Sequence, residues 1–228
     1  MGVLLQITDT TNAAINAAQH ASESFSLFSM LQRGGFLMYP LYLLFIATIF
    51  IFFERLIAIR KASGIDSNFM SIIRDNIITG NLSAARSLAK NTDNSVARII
   101  DKGIQRIGKP IEAIEKSMEN VGNLEIYKME RNLSILSLVY GIAPMIGFLG
   151  TIFGMLQLFY AISSTGDFTP ASIAGGIYTK MVTSASGLII GLLAYLAYNF
   201  LNTQIGKTIN KMEAASSEFV DVLQEPTR

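Results

Sequence analysis

A glycine-rich segment, Gly147-Phe148-Leu149-Gly150-Thr151-Ile152-Phe153-Gly154, lies within 25 residues, Leu136 to Tyr160, that carry no charged side chain. A second apolar run, Tyr178 to Phe200, has a single charge, Lys180, and includes Val182-Thr183-Ser184-Ala185-Ser186-Gly187-Leu188. Membrane helices with small and hydroxyl-bearing residues pack closely against other helices and can line a narrow polar path. Neither run contains an acid that could transfer a proton. If the two runs form an ion pathway, another chain must supply the titratable group.

The composition indicates an integral membrane protein. Half of the 228 residues are hydrophobic and the mean hydropathy is +0.41. A third uncharged run, Phe36 to Phe53, is 18 residues long. About 20 apolar residues cross a bilayer core as a helix. The sequence therefore predicts an all-α fold with three transmembrane helices, at 36–55, 136–160 and 178–200, of which the second and third extend into the cytoplasm.

The distribution of charge predicts the orientation of these helices. Between Glu54 and Arg131 lie 13 of the 18 Lys and Arg residues, whereas there is none between Tyr160 and Tyr178. Basic loops remain on the cytoplasmic side of a membrane. We therefore expect the loop 56–135 and the tail 201–228 in the cytoplasm, and the N-terminal segment 1–35 and the loop 161–177 outside. The net charge of only +1 argues against a nucleic-acid partner.

The cytoplasmic loop has the apolar periodicity of helices. No strong breaker is present between Ile111 and Pro144, so one continuous helix from Ile111 to Tyr160, about 75 Å long, is expected. In the tail, apolar residues alternate at spacings of four and three, which indicates a short heptad seam packed against either the same chain or another subunit. The residues of this seam in the tail are Ile205, Ile209, Met212, Ser216, Phe219 and Leu223.

The N-terminal segment 1–35 is amphipathic, as expected of an interfacial helix.

Small residues form one face on each of the two longer apolar runs. On a helix, Gly147, Gly150, Thr151 and Gly154 share one face, and Ser184, Gly187 and Gly191 share another, bordered by Thr183. Two interpretations remain open: close helix packing, including contacts between subunits, or a shared polar seam that lines an ion path. By helical rise, Thr151 lies about 13 Å below Tyr160 and Ser184 about 9 Å below Tyr178, so the two hydroxyls are at comparable depth.

The residues for most enzymatic chemistries are missing. The sequence has no cysteine, and its one histidine, His20, lies in the polar N-terminal segment. No phosphate-binding loop or Cys/His cluster occurs. We therefore expect no metal, no cofactor and no enzymatic activity.

Two long motifs resemble the ExbB/TolQ/MotA proton-channel family. They are Arg131-Asn132-Leu133 through Ala143-Pro144-Met145 to Met155, and Gly175-Gly176-Ile177-Tyr178 through Val182-Thr183-Ser184 to Asn199. The three-span layout resembles ExbB and TolQ more than the four-span MotA branch. The resemblance implies a homopentamer around a pore, which holds the single-span helices of an ExbD- or TolR-like dimer whose membrane aspartate carries protons.

The resemblance also assigns positions. Thr151 matches the pore threonine of the second span, Ser184 falls where the third span usually has a second threonine, and Pro144 matches the proline of the second span. Thr179 stands where some members have a glutamate. The implied function is a proton-channel subunit of the bacterial inner membrane that, with a TonB-like protein, energises outer-membrane transport. A TolQ-type role in envelope integrity and a non-conducting membrane scaffold are the alternatives.

Overall fold

The computed structural model describes residues 36–64, 66, 68–166 and 169–224, except for the side chains of Ala171, Ser172 and Thr179. These residues form seven helices and no strand, which confirms the predicted all-α fold. The expected interfacial helix in 1–35, with His20, lies outside the described residues. The helices are α1 Met38–Ser63, α2 Phe69–Ile78, α3 Leu82–Asn91, α4 Ser95–Ile104, α5 Ile111–Glu130, α6 Leu133–Thr165 and α7 Pro170–Gln224.

Three stretches of helix are long and apolar enough to cross a membrane, within Met38–Ser63, Ile111–Thr165 and Ile173–Gln224. They correspond to α1, α6 and α7. Large apolar side chains on α1 and α6 are strongly exposed, including Phe50 at 68% and Met145 at 69%. Exposed apolar surface of this kind is covered by lipid or by other protein chains.

The expected continuous helix from Ile111 to Tyr160 is wrong, because the chain breaks between α5 and α6. Asn132 has a φ of 65°, in the left-handed region that asparagine tolerates better than most residues. The break frees carbonyl groups at the end of α5. The buried guanidinium of Arg55 on α1 donates to one of them, the Lys128 oxygen, at 3.0 Å. The Asn132 amide donates to Glu54 at 3.4 Å.

The third apolar run and the tail form the single helix α7, in agreement with the predicted extension. Its 55 residues correspond to a length of roughly 80 Å. Because α7 is one unbroken helix, no break in it marks where the membrane span ends.

The described residues divide into two compact units. We call 44–142 with 190–224 the tail unit, and 36–43 with 143–189 the seam unit. The tail unit contains a large hydrophobic core, to which each of the helices α1, α2, α3, α4 and α5 and the end of α7 contribute side chains. Phe219 is 1% exposed, and a β-carbon built on Gly103 of α4 would lie 2.6 Å from its ring. The heptad seam of the tail therefore packs within its own chain.

Polar contacts fix α4 against its neighbours in the tail unit. The Glu125 carboxylate of α5 is 3% exposed and accepts hydrogen bonds from Ser95 and Arg98, each at 3.1 Å, and from Lys128 at 2.7 Å. Asn94 caps α4 by accepting from the Ala97 amide at 2.7 Å. A buried carboxylate with three donors is satisfied and fixes the position of α4 on α5.

An exposed ion pair links the end of α1 to the turn before α4. The Lys61 ammonium, 2.7 Å from Asp93, holds the pKa of that carboxyl below its ordinary value, and the nearby Arg98 adds to the effect. A lowered pKa in the folded state means that the ionised form is favoured by folding. The contribution of the ionised Asp93 to folding stability is therefore complete above the ordinary carboxyl pKa, and it is lost as the pH falls through the lowered pKa.

Candidate ion-pathway site

The seam unit brings α6 and α7 together along their small residues. A β-carbon added at Gly147 would contact Gly187, and one added at Gly150 would contact Thr183. Further along, Gly176 lies against Leu158. Each step towards the end of α6 is matched by a step towards the start of α7, so the two helices are antiparallel. We call this contact the α6–α7 seam.

The closest approach of the backbones is at Gly187. A β-carbon there would lie 2.5 Å from the Ala143 carbonyl oxygen and 2.9 Å from the Gly147 Cα. Side chains are not found at such distances from backbone atoms, so only glycine fits. The residue type at 187 therefore sets how closely α6 and α7 can approach.

Two further glycines of α6 make room for side chains of α7. A β-carbon at Gly150 would be 2.7 Å from Thr183 Cγ2, and one at Gly154 would overlap the alkyl stem of Lys180. Both contacts are within one chain. A loss of assembly in a Gly150→Leu variant would therefore not by itself identify a contact between subunits.

Thr151 and Ser184 lie at nearly the same level of the seam. Gly150 contacts Thr183, so Thr151 is beside the turn of α7 that contains Ser184. Both residues are half-buried. The Thr151 hydroxyl donates to the Phe148 carbonyl at 2.6 Å, as membrane threonines commonly do. Its oxygen can still accept a hydrogen bond from a protonated acid, and rotation of the hydroxyl would let it donate to a carboxylate.

Thr183 differs from the two hydroxyls beside it. Its side chain is 1% exposed, and its methyl group fills the space above Gly150. The predicted pathway residues are thus divided between a buried threonine that packs α6 against α7 and two hydroxyls with an open side. Pro144 is inside α6, where it has no N–H to donate, and Gly191 is buried.

Lys180 is a feature of the site that the sequence analysis did not use. Among the described residues of the seam unit it is the single charged side chain, and its stem rests on Gly154. It follows Thr179, where the resemblance implies a glutamate in some members. Its signal in the sequence was the one charge in an otherwise neutral run. The chain thus has a positive charge at Lys180, directly after the position where the resemblance implies a negative charge in some members.

The described residues contain no cluster of three or more Asp, Glu or His side chains that could hold a metal ion. What the seam offers is a pair of hydroxyl groups on closely packed apolar helices. Such groups can exchange hydrogen bonds with an acid in either protonation state but do not themselves ionise at ordinary pH. The chemistry suits a lining for a proton carrier that comes from another chain.

These features define a class of helical membrane proteins in which two helices pack through glycines and hydroxyl groups lie beside the contact. Residues 91–214 match the model of the MotA/TolQ/ExbB proton channel family, which is more than half of the chain. The chain belongs to this family, and its members are energy-transducing proton-channel subunits.

Individual relatives have names from two branches of the family. An ExbB homolog of Methanothermobacter thermautotrophicus is 26% identical over 82% of this chain and 67% of its own length. The biopolymer transport protein exbB1 of Vibrio cholerae is 23% identical over 82% of this chain and 84% of its own. The Tol-Pal system protein TolQ of Haemophilus influenzae is 30% identical over 49% of this chain and 47% of its own.

Proposed function

We propose that this chain is the channel subunit of an inner-membrane motor that uses the proton motive force to energise TonB-dependent transport across the outer membrane. Several copies, five by the family resemblance, surround a pore that holds the single-span helices of an ExbD-like dimer. Thr151 and Ser184 face this pore and exchange hydrogen bonds with the partner's membrane carboxylate. A TonB-like protein spanning the periplasm receives the work.

The observation that supports this proposal is the pair of hydroxyls on an acid-free seam. Thr151 and Ser184 are level and half-buried, which leaves them an open side after α6 and α7 have packed. The large exposed apolar side chains of α1 and α6 form a surface that lipid or neighbouring subunits can cover. One charge crossing 100 mV releases about 2.3 kcal/mol, so several protons per work cycle are needed.

Removal of the Thr151 hydroxyl tests the pathway. Thr151→Val keeps the volume, so the complex should assemble at its normal mass. A hydrogen bond to a charged group contributes about 1.5–3 kcal/mol, so we expect proton flux to fall at least tenfold. The measurement is acidification of liposomes that contain the chain and an ExbD-like single-span partner, under an imposed gradient.

Two conservative variants serve as controls. Thr151→Ser retains the hydroxyl and should keep most of the flux, whereas Ser184→Ala should show a milder loss than Thr151→Val. Normal flux through an assembled Thr151→Val complex would show that this hydroxyl is structural. A wild-type complex no leakier than empty liposomes would favour the non-conducting scaffold.

The proposed orientation places the N-terminus and the loop between α6 and α7 outside, and the α2–α5 region and the tail in the cytoplasm. The sequence has no cysteine, so single introduced thiols report without background. In intact cells we expect an impermeant thiol reagent to label Ser163→Cys and to leave Ser87→Cys and Ser217→Cys unlabelled until lysis. All three serines are exposed. Labelling at position 87 before lysis would show that the orientation is the reverse of the one proposed.

The TolQ branch supplies the second candidate, a role in envelope integrity. The TolQ relative is 30% identical, but it covers only about half of the chain. The ExbB relatives cover 82%. A deletion strain distinguishes the two roles. Loss of growth on a TonB-dependent nutrient would support the ExbB role, and loss of resistance to detergent would support the TolQ role.

A further inference from the structure

An open groove runs along the tail unit between α5 and the end of α7. Its volume is about 530 Å³. The buried side chains of Met118 and Met212 lie among the apolar residues that line it, together with Ile126 and Val220. Methionine side chains adapt to the shape of an apolar partner. None of these residues is used by the proposed ion pathway.

Acidic side chains border this groove. Glu115 and Glu119 lie on α5, and Glu213 and Asp221 on α7, and all four residues are exposed. Glu119 is paired with Lys116 at 2.8 Å. The residues that line the groove include no lysine, arginine or histidine. An apolar floor with acidic edges complements a helix that has an apolar face and basic flanks.

The dimensions of the groove fit a short helix. Its lining extends from Glu115 to Ile126 on α5 and from Ile209 to Gln224 on α7. At 1.5 Å per residue these spans are about 16 Å and 22 Å. A helix of three to four turns has this length. At the buried Gly122, a β-carbon would meet Ile99 and Met212 at ordinary contact distances of 3.6 and 3.8 Å.

We propose that this groove, which we call the acidic groove, binds a basic amphipathic helix of a partner protein. The partner's apolar side chains fill the space over the methionines, and its lysines or arginines pair with the bordering carboxylates. Since binding is measured without ion flux, this proposal can fail while the proposed channel function stands, and the reverse.

A synthetic helix tests the acidic groove. The probe is a fluorescein-labelled 15-residue peptide with leucines at i, i+3, i+4, i+7 and i+11 and lysines between them, titrated into the purified full chain in neutral detergent. We expect saturable binding in fluorescence anisotropy that weakens as salt is added. A triple variant, Glu115→Gln, Glu213→Gln and Asp221→Asn, should bind at least tenfold more weakly.

A matched variant separates the groove from overall charge. Glu112→Gln, Glu130→Gln and Glu218→Gln also remove three exposed carboxylates from α5 and α7 but lie outside the groove lining. This variant should bind within about twofold of wild type. Gly122→Leu keeps every charge and places a bulky side chain beside Ile99 and Met212, so it should lose binding at least tenfold; its unfolding midpoint, measured alongside, checks that the chain still folds.

Three binding results would overturn the proposal. They are an absence of saturable binding, an equal loss in the groove and matched variants, and normal binding by Gly122→Leu. A fall in the oligomer mass of the groove variant, measured in the same detergent, would also overturn it, because a second copy of the chain would then be the occupant.

Discussion

Replacement of Gly187 by alanine should destabilise the chain more than any other single methyl addition in the seam unit. The new β-carbon would be 2.5 Å from the Ala143 carbonyl oxygen and 2.9 Å from the Gly147 Cα. These are backbone atoms, so no side-chain rotation can relieve the overlap, and α6 and α7 must move apart. Overpacking of this kind costs about 1–3 kcal/mol, and we expect the upper end of that range. The midpoint of unfolding by dodecyl sulfate measures it.

The control for Gly187→Ala is the same change on the same helix at Gly206. A β-carbon at Gly206 has no neighbour within 4 Å, so it adds no overlap. Alanine in a helix is favoured over glycine by about 0.5–1 kcal/mol. Gly206→Ala should therefore be neutral or slightly stabilising. Equal unfolding midpoints for the two variants would show that α6 and α7 do not approach as closely as described.

Truncation of Phe219 should destabilise the tail unit strongly. This ring is among the largest fully buried side chains and lies on Gly103 of α4, close to Met118 of α5. Loss of a buried phenylalanine costs about 3–5 kcal/mol through lost burial and the cavity that remains. We expect Phe219→Ala to lower the unfolding midpoint sharply and to expose the end of α7 to protease.

Two further variants isolate the cause of the Phe219→Ala effect. Phe219→Leu retains much of the apolar volume and should lose less stability than Phe219→Ala. The neighbouring Glu218 is exposed, and Glu218→Ala should change the free energy of unfolding by no more than about 0.5 kcal/mol. If Phe219→Ala unfolds like Glu218→Ala, the tail does not pack on its own chain.

Helix type, the three apolar stretches and the small-residue faces were evident from the sequence, because each depends on local pattern. Charge-free runs of about 20 residues predict membrane helices by length alone. Spacings of three and four place Gly147, Gly150 and Gly154 on one side of α6 whatever they contact. The level of Thr151 with the Ser184 turn also followed approximately from helical rise.

The break at Asn132 could not be predicted, since asparagine occurs inside helices and in left-handed turns alike. Its place is determined by tertiary contacts: Arg55 and Glu54 on α1 supply partners for the groups that the break exposes. Lys180 likewise gave only a charge in the sequence. Its position over Gly154 depends on the antiparallel register of α6 and α7.

The sequence by itself therefore determined which faces of each helix are small, apolar or polar, because side-chain direction follows from helical periodicity. Only the tertiary structure decided which of those faces meet. Thr183 and Thr151 are similar in sequence context, yet one is buried over Gly150 and the other is half-open. The difference arises because α6 covers one side of α7, and which side is covered depends on the fit of Gly187 against Ala143 and Gly147, far apart along the chain.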